Sequence, residues 1–183
     1  LLDDEGQVTG AITDGMKTDD ATPTFEGKGE PNGKVIIYDN GKKIGEAASD
    51  ASGNWSFTTP AMGEGSHAFT ATATNGSGTG PVSAAMTVIV DTTAPNAPTG
   101  QFNADGSVLT GQAEAGSTVT IRLPDGTTYT ATANASGSYS LTFVNKQTDG
   151  GTLTLTATDT AGNTSLPGQV LAPNLPLSAA NNV

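Results

Sequence analysis

An all-β fold of two tandem, seven-stranded antiparallel β-sandwiches is what this sequence predicts, on three observations. The chain repeats itself: Asp50-Ala51-Ser52-Gly53-Asn54-Trp55-Ser56-Phe57 recurs as Asn134-Ala135-Ser136-Gly137-Ser138-Tyr139-Ser140-Leu141, each residue 84 positions on. Gly27, Glu30, Val35 and Ile37 fall on Gly111, Glu114, Val119 and Ile121 at the same shift, and Gly65 to Thr72 fall on Gly151 to Thr158 at a shift of 86. Splitting the 183 residues in two leaves about 90 per copy, close to the roughly 100 of a two-sheet sandwich. No helical period runs through the chain. Instead short runs alternate between apolar and polar residues and are broken by Gly-rich turns, the pattern of half-buried strands. A tandem array of this kind is a rod or stalk more often than an enzyme built round one cleft.

In the second copy, alternation predicts strands at 99–103, 107–112, 118–123, 128–133, 138–143, 153–158 and 164–171. Val119, Ile121 and Leu123 then share a face, as do Tyr139, Leu141 and Phe143, and Leu153, Leu155 and Ala157, which are the inward positions of two packed sheets. In the first copy the same order predicts strands at 22–29, 34–38, 44–48, 54–58, 66–74 and 83–90, preceded by one at 8–12. Asp39-Asn40-Gly41, Pro124-Asp125-Gly126 and Ala135-Ser136-Gly137 supply the positive-φ residues of tight connections. Trp55 and Phe57 stand where Tyr139 and Leu141 stand, so Trp55 reads as a core anchor. The domain limits are 1–90 and 91–172, with 173–183 a tail or linker.

Composition excludes several functions. With 18 acidic and 7 basic residues the net charge is -11, so phosphate backbones and anionic membranes repel this surface and nucleic acid is not a partner. No stretch is apolar enough to cross a bilayer, no signal peptide opens the chain at Leu1, and the sequence reads as part of something longer. There is no Cys, so extra stability, if needed, comes from another source such as a metal. The single His, His67, aligns with Leu153 in an inward register and reads as a packed or strand-end residue. No Ser has a His and acid partner, and the few aromatics are committed to cores, so the reading is of a non-enzyme.

Strand parity places loops at ends. With the linker entering at the top, Asp91, the turn at Glu114 and the loop at Asp159 converge on the top of the second copy. The first copy ends at its bottom beside Asp91, where its own loops carry Asp14, Asp19 and Asp20, with Asp39 and Asn40 in the next turn. Crowded carboxylates repel unless a cation holds them, and Ca2+ takes six to eight oxygen ligands of this kind. Zn2+ is disfavoured without Cys and with one His, and Mg2+ by its water shell. At the top of the first copy Asp3 and Asp4 take the linker place and Glu30 matches Glu114, but Ala73 replaces the late-loop acid, leaving Asn75 or Asp50 to compensate. Asp125 and Asp149 read as ordinary turn residues.

The runs Thr18-Asp19-Asp20-Ala21-Thr22-Pro23-Thr24, Gly29-Glu30-Pro31-Asn32-Gly33, Asp91-Thr92-Thr93-Ala94-Pro95 and Thr158-Asp159-Thr160-Ala161-Gly162-Asn163 resemble the bacterial immunoglobulin-like repeats of giant biofilm-associated, type I-secreted adhesins. The resemblance reaches to about Leu171. It implies immunoglobulin-like domains in an extracellular, cell-surface stalk, with neighbouring repeats of the same chain as partners and contact with host or abiotic surfaces made elsewhere in the parent. It also implies a monomer stiffened by Ca2+ at module junctions, with the linker Asp, turn Glu and late-loop Asp roles falling to Asp91, Glu114 and Asp159. The rival reading is a glycan- or protein-binding module that uses its end loops, though these are short and poor in aromatic or Arg anchors.

Overall fold

The protein was analysed as a computed structural model, which describes residues 1–5 and 9–176. Every regular element in it is a strand, and the chain divides into two compact units. The first comprises Leu1–Thr93 with Ala161–Asn163, the second Ala94–Thr160 with Thr164–Val183.

The second unit is the more regular. Its strands are β11 (Thr99–Phe102), β12 (Val108–Gln112), β13 (Thr118–Arg122), β14 (Thr128–Thr132), β15 (Ser138–Thr142), β16 (Thr152–Thr158) and β17 (Gly168–Leu171). They form a three-stranded sheet, β11-β12-β15, and a four-stranded sheet, β14-β13-β16-β17. All seven predicted strands are present. The last starts at Gly168 rather than 164 because Ser165 interrupts the ladder: Ala157 N–H donates to its Oγ at 2.9 Å, which donates to Leu166 O at 2.8 Å. One continuous core joins the sheets, with Leu109, Val119, Ile121, Leu153 and Leu155 at most 1% exposed. Burying one such side chain stabilises by about 1.5–3 kcal/mol.

The first unit has the same plan with additions. Its strands are β1 (Leu2–Asp3), β2 (Gly10–Ala11), β3 (Lys17–Thr18), β4 (Thr24–Lys28), β5 (Lys34–Asp39), β6 (Lys42–Ala48), β7 (Asn54–Thr58), β8 (Gly65–Asn75), β9 (Gly78–Val82) and β10 (Met86–Val90). One sheet runs β2-β1-β4-β7, the other β3-β10-β8-β5-β6 with β9 paired to the end of β8. β1, β3 and β9 have no predicted counterpart, since two residues are too few to show a period and β9 carries Gly and Pro. Of the strand predicted at 8–12, β2 falls inside it and Val8 lies outside the described residues. The core here is split. Ile12, Phe69 and Val88 form one buried group, Val35, Ile37 and Ala47 another, with Trp55 packed on the second as the sequence implied.

The repeated octapeptide has a physical explanation. Asp50 Oδ1 accepts the amides of Ser52 and Asn54, both at 2.8 Å, and Asn134 Oδ1 accepts those of Ser136 and Ser138 at 2.9 and 3.0 Å. The turn then needs a left-handed residue, supplied by Gly53 (φ +81) and Gly137 (φ +80), where a Cβ would meet a backbone carbonyl at 2.4 and 2.6 Å. Only glycine satisfies both demands. Gly27 and Gly111 meet a second need, seating the aromatic that follows: a Cβ on either would stand 2.7 Å from the ring of Trp55 or Tyr139.

The expected tail begins later than Pro173. Gly150 N–H donates to Pro173 O at 3.2 Å and Leu175 N–H to Thr148 O at 3.0 Å, and Asn174 bridges Asp149, so these residues belong to the second unit. Residues 177–183 lie outside the described residues.

Candidate functional site

The acids of interest in the first unit gather where the chain leaves it. β3 runs parallel to β10, Thr18 opposite Val90, and Asp91 N–H donates to Thr18 O at 2.9 Å. The next residues turn sharply: Asp20 Oδ1 accepts Thr22 N–H at 2.7 Å and the Thr22 hydroxyl at 3.2 Å. Pro23 then leads into β4. This is the Asp-turn that Asp20-Ala21-Thr22-Pro23 favours.

Thr18 links the Asp3 carboxylate to the backbone of Asp20. Its hydroxyl donates to Asp3 Oδ2 at 2.5 Å and accepts Asp20 N–H at 3.1 Å. Asp3 Oδ1 accepts Glu5 N–H at 3.1 Å. Asp3 is 7% exposed and Asp20 fully buried, yet Asp20 Oδ2 has no hydrogen-bond partner among the described residues. A buried carboxylate oxygen without a donor or cation is costly, and the cost falls away once a cation sits on it. Asp19 is half-buried beside it.

Asp91 is engaged differently. Lys17 Nζ lies 2.8 Å from its Oδ2, and this bond holds the Asp91 carboxyl below its ordinary value against the opposing effect of burial. Glu64 accepts Thr92 N–H at 2.9 Å and the Thr92 hydroxyl, which lower its pKa and pin the chain after Asp91. Lys17, Thr18 and Glu64 were not singled out from sequence. Lys17 and Thr18 directly precede the Asp19-Asp20 pair, the one signal that pointed to them, whereas Glu64 reaches Thr92 only through the fold.

The expected grouping of Asp3 and Asp4 with Glu30 does not form. β1 is antiparallel to β4, with Leu2 opposite Thr24, so Asp3 heads away from Lys28 and the Glu30 turn beyond it. Asp4 and Glu30 are both exposed. Neither proposed substitute for Ala73 is at hand: Asp50 is spent on its own turn, and Asn75 Oδ1 accepts Ser77 N–H at 2.8 Å. Asp14 caps β10, accepting Thr87 N–H at 2.7 Å.

In the second unit Glu114 and Asp159 do share an end, since Thr118 at the start of β13 pairs with Thr158 at the close of β16. Glu114 is exposed, its carbonyl accepting the Ser117 amide at 3.1 Å and hydroxyl at 2.7 Å, while Asp159 is 8% exposed. Among the described residues no three His, Asp or Glu side chains are drawn together in the manner of a complete metal-ligand set.

His67 sits at the strand end beside Phe69, its Nδ1 2.7 Å from Asp39 Oδ2 and its Nε2 2.9 Å from Gly63 O. Both partners are acceptors, so the geometry suits the doubly protonated ring. Burial pulls its pKa down, but the Asp39 and Gly63 hydrogen bonds outweigh it and the net shift is upward.

Two sandwich plans, one after the other and built from the same repeat, define a modular all-β protein of the immunoglobulin and fibronectin type. Residues 3–92 match the bacterial Ig-like domain family and residues 94–174 the bacterial Ig domain family. The chain is therefore a tandem pair of bacterial Ig-like domains. Among solved structures it is similar to the fibronectin(III)-like modules of CbhA from Clostridium thermocellum, at 17% identity over 93% of this chain and 91% of that one, with a TM-score of 0.53. That similarity is one of fold. A BSP domain of a biofilm-associated protein is 21% identical over 91% of this chain, which spans 29% of that chain, with a TM-score of 0.41. No curated protein matches the chain.

Proposed function

We propose that the chain is a non-catalytic spacer segment of a large bacterial surface adhesin, stiffened by Ca2+, that carries adhesive parts away from the cell. The observation that carries the metal reading is the buried, unpartnered Oδ2 of Asp20, whose backbone is tied through the Thr18 hydroxyl to the buried Asp3 carboxylate. An all-oxygen set without Cys suits a hard cation. Asp20 and Asp3 would hold the ion, with Asp19 beside them; Glu114 and Asp159 are the corresponding acids of the second unit, and Asp91 is the linker carboxylate. Bound Ca2+ supplies charge neutralisation and rigidity. Because Thr18 O accepts Asp91 N–H and Lys17 holds the Asp91 carboxylate, fixing the 18–20 segment fixes the direction in which the chain leaves the unit.

Affinity near millimolar suffices outside a cell, as for other extracellular calcium modules. Every one of the nine aromatic residues is buried or half-buried, which supports a spacer over a loop-based binder, whose energy rests on exposed aromatic or Arg anchors. Neighbouring repeats are the proposed partners and the extracellular face of the cell the proposed location. Small-angle X-ray scattering in millimolar Ca2+ and in EDTA tests the reading: a longer, stiffer particle with Ca2+ is expected, and superimposable profiles would refute the stiffening.

A further inference from the structure

Three Asn-Gly pairs stand in the first unit, at 32–33, 40–41 and 75–76. In such a pair the side-chain amide is open to attack by the next backbone nitrogen, because glycine puts no Cβ in the way and leaves the backbone free to turn. Closure has three requirements: an N–H that a base is able to remove, a side chain free to bring Cγ onto that nitrogen, and stabilisation of the charge that grows on Oδ1. The fold withholds the first from one pair and the second from another. Gly33 N–H is occupied twice, donating to Glu30 O at 3.0 Å and to Ser49 Oγ at 2.9 Å. Asn40 is braced on β8, its Oδ1 accepting Ala68 N–H at 3.3 Å and its Nδ2 donating to Ser66 O at 3.4 Å, so its amide is not free to swing onto Gly41.

At Asn75 all three are met. Asn75 closes β8 and pairs with Gly78 at the start of β9, and it is exposed together with Gly76 and Ser77 at the hairpin tip. Gly76 N–H has no acceptor among the described residues, and the space round Gly76 is open, with nothing within 4 Å of a Cβ placed there. Ser77 N–H donates to Asn75 Oδ1 at 2.8 Å. That amide is aimed at the atom on which negative charge develops when Cγ becomes tetrahedral, the arrangement that stabilises an oxyanion.

We propose that Asn75 is a self-modification site that converts spontaneously to an acid. Gly76 N gives up its proton and bonds to Asn75 Cγ, the Cγ–Nδ2 bond breaks, and the amide nitrogen leaves as ammonia with that proton, leaving a five-membered imide. Water then opens the imide at either carbonyl, giving aspartate or, with the chain running through Cγ, isoaspartate. Neither step draws on an enzyme, an oxidant or a cofactor. The product matters because of where it forms. Ser83 closes residues 72–82 as Ser165 closes residues 158–164: their N–H groups donate to Ala71 O and Ala157 O at 2.9 and 2.8 Å, and their Oγ atoms accept the Ala71 and Ala157 amides. The hairpin therefore occupies the loop that carries Asp159 in the second unit, and conversion gives that loop, which has no acid of its own, a carboxylate. Isoaspartate also lengthens the backbone at the Asn75–Gly78 pair and loosens the tip.

Incubation of the intact chain in mildly alkaline buffer, followed by peptide mapping with mass spectrometry and by isoaspartate-specific methylation, tests this. In the folded chain Asn75 is expected to convert about tenfold faster than Asn32 and Asn40, a barrier lower by about 1.4 kcal/mol, and in denaturant the three rates are expected to converge. Gly76→Ala meets no close neighbour and no positive φ in the fold, yet its Cβ crowds the attacking nitrogen, so it should slow conversion at 75 about tenfold. Asn75→Gln should abolish it, with far-UV spectra unchanged for both variants. Conversion at 75 no faster than at Asn32 and Asn40 in the folded chain, or a rate unmoved by Gly76→Ala, would overturn the proposal.

Discussion

The two units are built from one repeat, yet they hold themselves together differently. The second has a single core of nine buried residues; the first has two buried groups of three, with extra strands at its exit end. Where the second unit satisfies its aromatic anchor with a backbone carbonyl, the first leaves Trp55 Nε1 without an acceptor. The difference teaches that the turn and seat glycines set the plan, while core packing and the partner of the aromatic anchor set how each copy is held together. It follows that equivalent substitutions should not cost the same in the two units.

Gly111→Ala and Gly27→Ala give the largest contrast. A Cβ at Gly111 would collide with Thr99 O and with Tyr139, so β11 must detach, whereas at Gly27 the close contacts are with the Trp55 ring. A loss of about 3 kcal/mol or more is expected in the second unit and about 1–2 in the first, read as separate shifts in calorimetric unfolding. Equal losses would show that β11 contributes little. Tyr139→Phe is smaller: losing its bond to Thr99 costs about 1 kcal/mol, or about 4–8 °C in the melting temperature of a domain this size.

How much of this was legible in sequence depends on the kind of residue. The 84-residue echo and the alternation of Val119, Ile121, Leu153 and Leu155 predicted the sandwich strands closely, because period and turn glycines are local properties. Asp20 was singled out in sequence, and the structure buries it at the exit end beside Asp19. Asp3 was placed at the wrong end because strand parity cannot see that β1 pairs with β4 by a single residue, and Thr18, marked only by the Asp19-Asp20 pair that follows it, was missed because its bond to the Asp3 carboxylate forms only through the fold. The Ser165 interruption was hidden for the same reason, as was one at Ser83, whose Oγ accepts Ala71 N–H at 3.0 Å ahead of β10: each side chain replaces a backbone partner, which shows only once the ladder is seen.

The smallest effect is a pH dependence confined to the first unit. His67 is bonded to Asp39 and has a raised pKa. Its folded-state value lies above the unfolded one near 6.5, so its stabilisation is fully present below about 6.5 and is lost as pH rises through the folded value. A melting series across that range should decline for the first unit alone, and His67→Gln should flatten it; a flat parent curve would remove the pair from the account.

Calorimetry of the parent chain and Asp20→Asn, each in EDTA and in millimolar Ca2+, tests the central claim most directly. Replacing a buried carboxylate by a neutral amide should stabilise the first unit in EDTA, and the parent alone should gain stability with Ca2+, by about 0.4 kcal/mol with free ion at the dissociation constant and about 1.4 kcal/mol at ten times it. If the parent melts identically in EDTA and Ca2+, or if Asp20→Asn keeps the full calcium response, the acids at the exit of the first unit do not hold the ion.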